Sequence, residues 1–86
     1  PEKLTMIEAA ENALRDLGFF DVRVRHHELK AGLLARIEVG PEELGRLFQN
    51  GASAKVVAAC KGAGYTHATV DLEGYRRGSL NAALKG

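Results

Sequence analysis

The chain has 86 residues and a mass of 9.2 kDa, room for one small domain and too little for an enzyme with its own cofactor pocket and lid. Twelve Lys and Arg against eleven Asp and Glu leave a formal charge of +1, which argues against nucleic acid or an anionic membrane as partner. Hydrophobic residues at 45% and charged residues at 27% fit a soluble globular domain, and no apolar run is long enough to span a bilayer.

Residues 4–17 carry apolar side chains at Leu4, Ile7, Ala10, Leu14 and Leu17, spacings of three and four that predict an amphipathic helix closed by Gly18. Residues 19–27 then alternate, with Phe20, Val22 and Val24 on one face and Asp21, Arg23 and Arg25 on the other. A turn of about five residues, 28–32, leads to a second alternating run. There Leu33, Ala35, Ile37 and Val39 face one way and Leu34, Arg36 and Glu38 the other. The two runs predict an antiparallel hairpin.

Gly40-Pro41-Glu42-Glu43 has the proline and acids of a helix start, with Leu44, Leu47 and Phe48 as its apolar stripe and Asn50-Gly51 as its stop. Ser53 is placed to cap another helix through Val56, Val57, Cys60 and Ala63. Residues 65–72 predict a third strand, with Ala68, Val70 and Leu72 inward and His67, Thr69 and Asp71 outward. Glycines at 74 and 78 mark turns, and residues 80–85 a short helix or frayed tail. The expected fold is α+β, in the order αββααβ. It has a three-stranded sheet, a hairpin plus one crossover strand, with helices on one face. A single domain covers residues 1–81, and 82–86 form a tail.

The side chains sent away from the helices are Arg23, Arg25 and His27, then Arg36 and Glu38, then His67, Thr69 and Asp71, with Leu34 the one apolar member. Residues i and i+2 on a strand lie roughly 7 Å apart, so Arg23 and Arg25 reach one small anion, and guanidinium forks match phosphate oxygens in a way lysines do not. An ordinary solvated face with cross-strand ion pairs accounts for the same residues. Glu11 falls at one side of the first helix's apolar stripe, where a carboxylate needs a partner. It either turns to water or Arg15, or faces an arginine, or joins Glu38 in holding a hard divalent cation.

Other candidates point to structure. His26 and His27 alternate across a strand and cannot chelate one ion together, and His67 stands alone. Cys60 has the spacing of a core residue, and a single cysteine excludes an internal disulfide and suits a reducing compartment. No glycine-rich phosphate loop, Gly-x-Ser-x-Gly elbow or zinc-protease motif is present. The chain begins Pro1-Glu2-Lys3, without a signal-peptide pattern.

Three stretches carry a resemblance. They are Ala10-Glu11 with Leu17-Gly18-Phe19; Arg23-Val24-Arg25-His26-His27 leading to Ala35-Arg36-Ile37-Glu38-Val39; and Asp71-Leu72-Glu73-Gly74-Tyr75-Arg76-Arg77-Gly78-Ser79-Leu80-Asn81. Together, over residues 4–81, they resemble the C-terminal domain of the LarE-type PP-loop proteins. These are ATP-dependent sacrificial sulfur transferases that act in making the nickel-pincer nucleotide.

The resemblance implies an N-terminal PP-loop domain that uses ATP to adenylylate a carboxylate of a pyridinium mononucleotide, followed by sulfur delivery, in many members from a protein cysteine. Neither the Ser-Gly-Gly-x-Asp-Ser loop nor that cysteine is in this sequence, and Cys60 does not inherit the role. What is implied here is the substrate-binding and assembly half, not catalytic alone. Arg23, Arg25 and Arg36 would hold the substrate phosphate, and Glu11 and Glu38 would be the acidic metal ligands. ATP and a divalent cation are implied for the full-length protein, with no cofactor for this chain alone. The implied partners are the N-terminal PP-loop ATPase domain or a separate ATP-binding subunit, a small anionic nucleotide and further copies in a homo-oligomer. The expected compartment is the cytoplasm. The hairpin segment 28–33 is longer than the family's short turn. A stand-alone, non-catalytic α+β regulatory or protein-interaction module is the alternative.

Overall fold

The structure is a computed structural model that describes residues 2–75. The second half of the long motif, residues 76–81, and the expected tail lie outside the described residues. The architecture is α+β as expected. Helix α1 (Lys3–Asp16) is followed by strands β1 (Val22–Leu29) and β2 (Gly32–Val39). A 3-10 turn (Leu44–Phe48), helix α2 (Ala52–Gly62) and strand β3 (His67–Val70) complete it. The sheet order is β1-β2-β3, with β1 and β2 antiparallel and β2 and β3 parallel.

In α1 the buried stripe is Met6, Ala10 and Leu14, three residues on one i, i+4 line. Leu4 is 69% exposed, because six residues at 100° each set it about 120° round the helix from Ala10. Gly18 closes the helix at φ +102, and the Phe19 amide reaches back to the Leu14 carbonyl at 3.1 Å. That closure puts Phe19 in the core and leaves Phe20 75% exposed, the reverse of the expected alternation. The amides of Phe20 and Asp21 donate to the two carboxylate oxygens of Glu43, at 3.1 and 3.3 Å. Pairing with β2 therefore begins only at Val22.

From there the alternation holds, and Val22, Val24, Ala35, Ile37 and Val39 meet Met6, Leu14, Val56 and Cys60 in one core. Burial of this apolar surface beneath α1 and α2 supplies most of the folding free energy. The hairpin is tighter than expected. Pairing continues through Glu28↔Leu33 and Leu29↔Gly32, which leaves only Lys30 and Ala31 as loop, since ladder hydrogen bonds propagate whatever the side chains.

The expected helix after Pro41 is a turn and a single 3-10 turn, with Leu47 buried and Phe48 exposed. Asn50 and Gly51 take positive φ of 55 and 73 and stop it after five residues. α2 starts with Gly51 in the N-cap position and no side-chain cap, so Ser53 lies inside the first turn. β3 is shorter than predicted. Tyr65, ahead of it, is 3% exposed and part of the core. Leu72 is exposed because the strand ends at Val70 and the alternation ends with it. Among the described residues no helix is long and apolar enough to cross a membrane.

Candidate functional site

With both helices on one side, the other side of the sheet is a small grid whose rows follow from the register. Arg23 stands opposite Glu38; Arg25 opposite Arg36, with Thr69 beyond it; His27 opposite Leu34, with His67 beyond. Two arginines directly opposite each other repel. Glu38 lies diagonally between them, accepting from Arg25 Nε at 3.1 Å and pairing with Arg36 Nη2 at 3.4 Å. Arg36 turns its other terminal nitrogen to Asp71 Oδ2 at 3.6 Å. Glu38 is 9% exposed although it stands on the uncovered face, since the arginine stems that flank it exclude water. Among the described residues the Arg36 Nε is buried without a hydrogen-bond acceptor.

Arg23 is held differently. Its Nη1 donates to the Val22 carbonyl at 3.1 Å, and its guanidinium carbon sits 4.8 Å from the centre of the Tyr75 ring. Of the three arginines it alone has no carboxylate partner among the described residues. Among the described residues Glu38 and Asp71 pair with Arg25 and Arg36, so neither of these two carboxylates neutralises Arg23.

The residues expected to bind substrate are thus brought to one face, while those expected to ligate a cation are not brought to one point. Glu11 lies at the outer edge of β1. Its Oε2 accepts from the Val24 amide at 2.9 Å, and Oε1 faces Arg15 at 3.7 Å. It therefore satisfies an edge-strand donor that would otherwise stay unpaired. Glu38 has both oxygens committed to arginines. Among the described residues no group of three or more His, Cys, Asp and Glu side chains is placed to hold a metal ion.

A groove of about 340 Å³ wraps the β1 edge, with the cationic Lys3, Arg25 and Arg36 on its rim, His27 beside them and Glu11 at its side. Beneath that edge His26 Nδ1 and the Tyr65 hydroxyl are 2.8 Å apart with their rings edge to face. Burial, then Cys60, then the Glu11 charge push the Tyr65 hydroxyl above its ordinary value, so it stays a neutral phenol. Burial also pushes the Cys60 thiol up to about 11, which keeps it protonated and unreactive near neutral pH. The histidine–tyrosine pair was hidden from the sequence, because Tyr65 joins the core from outside the strand. Tyr75 was visible in the long motif, but alternation says nothing about a residue beyond the end of β3. A second groove, of about 210 Å³ and apolar, lies beside β3, with Phe48, Val57 and Val70 on its walls.

No protein-family model matches the chain. It is 40% identical over 83 residues to an uncharacterized protein of Synechocystis sp., matching 96% of this chain and 30% of that one. It is 34% identical over 85 residues to the pyridinium-3,5-bisthiocarboxylic acid mononucleotide synthase of Lactiplantibacillus plantarum, covering 96% of this chain and 28% of that one. The chain therefore spans less than a third of the length of these curated relatives.

Proposed function

We propose that this chain is the substrate-binding and assembly domain, C-terminal in the whole protein, of an ATP-dependent sulfur transferase that modifies a carboxylated pyridinium mononucleotide in nickel-pincer cofactor biosynthesis. Similarity to a synthase of such a mononucleotide supports the reading. The observation that carries it is the uncovered sheet face with its uncompensated Arg23. The substrate phosphate binds between Arg23 and Arg25, with Arg36 behind them. Adenylylation and the ATP-bound cation belong to an N-terminal PP-loop domain or a separate ATP-binding subunit. Oligomerisation gathers several such faces in the cytoplasm. Arg25 already shares Glu38, so an incoming anion exchanges one partner for another and gains less than it does at Arg23. The isolated domain therefore binds weakly, in the micromolar-to-millimolar range.

The test is calorimetric titration of nicotinic acid mononucleotide, and of the riboside that lacks its phosphate, into the chain. The mononucleotide is expected to bind and the riboside not to. Replacing both Arg23 and Arg25 by alanine is expected to weaken binding by about a hundredfold, since each charge-assisted contact contributes about 1.5–3 kcal/mol before discounting for exposure. Equal heats from wild type and double variant remove the proposal. The apolar groove beside β3 favours a second reading, a non-catalytic protein-interaction module. In that case the mononucleotide gives no heat and Phe48→Ala weakens a protein complex.

A further inference from the structure

The motif at residues 71–75 has a second role on the sheet face, and its geometry is a chain of short links. Asp71 Oδ1 accepts from the Glu73 amide at 2.9 Å, and the Gly74 amide donates to the Asp71 carbonyl at 3.0 Å. These two bonds turn the chain sharply after β3. The Tyr75 amide then donates to the Val39 carbonyl at 2.7 Å, fastening the turned chain to the last residue of β2. Val39 pairs with Val22, so the Tyr75 side chain arrives over the next residue of β1, which is Arg23. The other end of the segment holds Arg36 through Asp71 Oδ2. Five residues thus cross the end of the sheet and fix two of its three outward arginines by different chemistry.

We infer that this strap is a positioning device for phosphate recognition, with Tyr75 as the residue that aims Arg23. A guanidinium held by a carboxylate gives up part of its charge to it. One held by an aromatic ring and a carbonyl keeps its charge for a ligand. The guanidinium carbon sits 4.8 Å from the ring centre, a contact that holds the group without taking an N–H donor to a carboxylate. Of five guanidinium N–H donors one, on Nη1, is used among the described residues, for the Val22 carbonyl. The matching ligand is an oxyanion that takes two parallel N–H bonds, a phosphate monoester above all. Without the ring, Arg23 is a long side chain with many rotamers, and each binding event has to order it.

This inference rests on the proposed substrate reading, and the experiment separates the two. Tyr75→Phe keeps the ring, and Tyr75→Leu removes it while leaving the backbone bond to Val39 in place. Nicotinic acid mononucleotide affinity is measured for both, with the Arg23 Nε–H resonance recorded without ligand. The phenylalanine chain is expected to match wild type within about twofold. The leucine chain is expected to bind about three- to tenfold more weakly and to lose the ring-current displacement of the Arg23 resonance. If wild type binds and the leucine chain binds equally well, the inference is overturned and the substrate reading stands. If both variants weaken equally, the ring is not the cause and the inference is again overturned. If wild type itself does not bind the mononucleotide, the substrate reading falls and this role for the strap falls with it.

Discussion

Glu38→Gln is expected to destabilise the chain by about 1–3 kcal/mol and, at the same time, to tighten mononucleotide binding by threefold or more. The two effects have one origin. Arg25 and Arg36 stand directly opposite across β1 and β2, and Glu38 is the carboxylate that meets both. Removing its charge leaves like charges face to face and takes away the charged acceptor of two arginines that are still well exposed, so solvent screening limits the loss. The loss of the carboxylate makes the face more positive by one charge, and the freed guanidinium groups no longer exchange an internal partner for the ligand. Urea unfolding reads the first effect and calorimetry at low salt the second, and both should shrink in high salt as screening sets in. This variant also decides what Glu38 is for. A glutamate that ligates a divalent cation makes the amide variant bind less tightly in the presence of that cation, and tighter binding contradicts that role.

Gly74→Ala is expected to cost about 2–4 kcal/mol, a drop in midpoint of roughly 10–20 °C for a domain of this size. Gly74 has φ +76, and a Cβ there would stand 2.5 Å from the Val39 carbonyl oxygen, the atom that accepts from Tyr75. Gly51 supplies a matched control. Its φ is +73, but among the described residues nothing lies within 4 Å of a Cβ at that position, so Gly51→Ala isolates the conformational cost, about 1 kcal/mol. The difference between the two variants measures the close approach of the strap to β2. Equal losses at both positions would show that the strap does not depend on that contact. If the strap releases instead of the whole domain unfolding, the Gly74 variant keeps its core and loses the Tyr75 contact with Arg23. That outcome appears as weakened mononucleotide binding without a matching fall in midpoint.

Period-two alternation made the sheet and its arginine face legible, because Val22 to His27 and Leu33 to Val39 are true paired strands and nothing interrupts their parity. It failed wherever something other than the ladder held the backbone. Glu43 takes the amides of residues 20 and 21, so Phe20 does not share a face with Val22. Asp71 turns the chain after β3, so Leu72 does not share one with Val70. The 3-10 turn after Pro41 is a matter of length, since Asn50 and Gly51 leave too few residues for an α-helix to gain from its hydrogen bonds. At the site, which arginines would gather was readable one strand at a time. Which of them Glu38 would neutralise was not, because that depends on the register between β1 and β2. The free charge on Arg23 was equally out of reach, since it depends on where Tyr75 lands after a turn that carries no periodic signal. Glu11 looked like a ligand because a carboxylate beside an apolar stripe is unusual. Its partner is the Val24 backbone amide, a kind of group that no side-chain pattern reveals.

The proposed function requires the uncovered sheet face to grip a phosphate. It is tested most directly by titrating nicotinic acid mononucleotide into isotope-labelled chain while following backbone amide and arginine side-chain resonances. Saturable shifts are expected, concentrated at Arg23, Arg25, Arg36 and their strand neighbours and reproduced in part by inorganic phosphate. Shifts concentrated instead around Phe48 and Val57 beside β3, or saturable binding that leaves the arginine resonances unmoved, would contradict it.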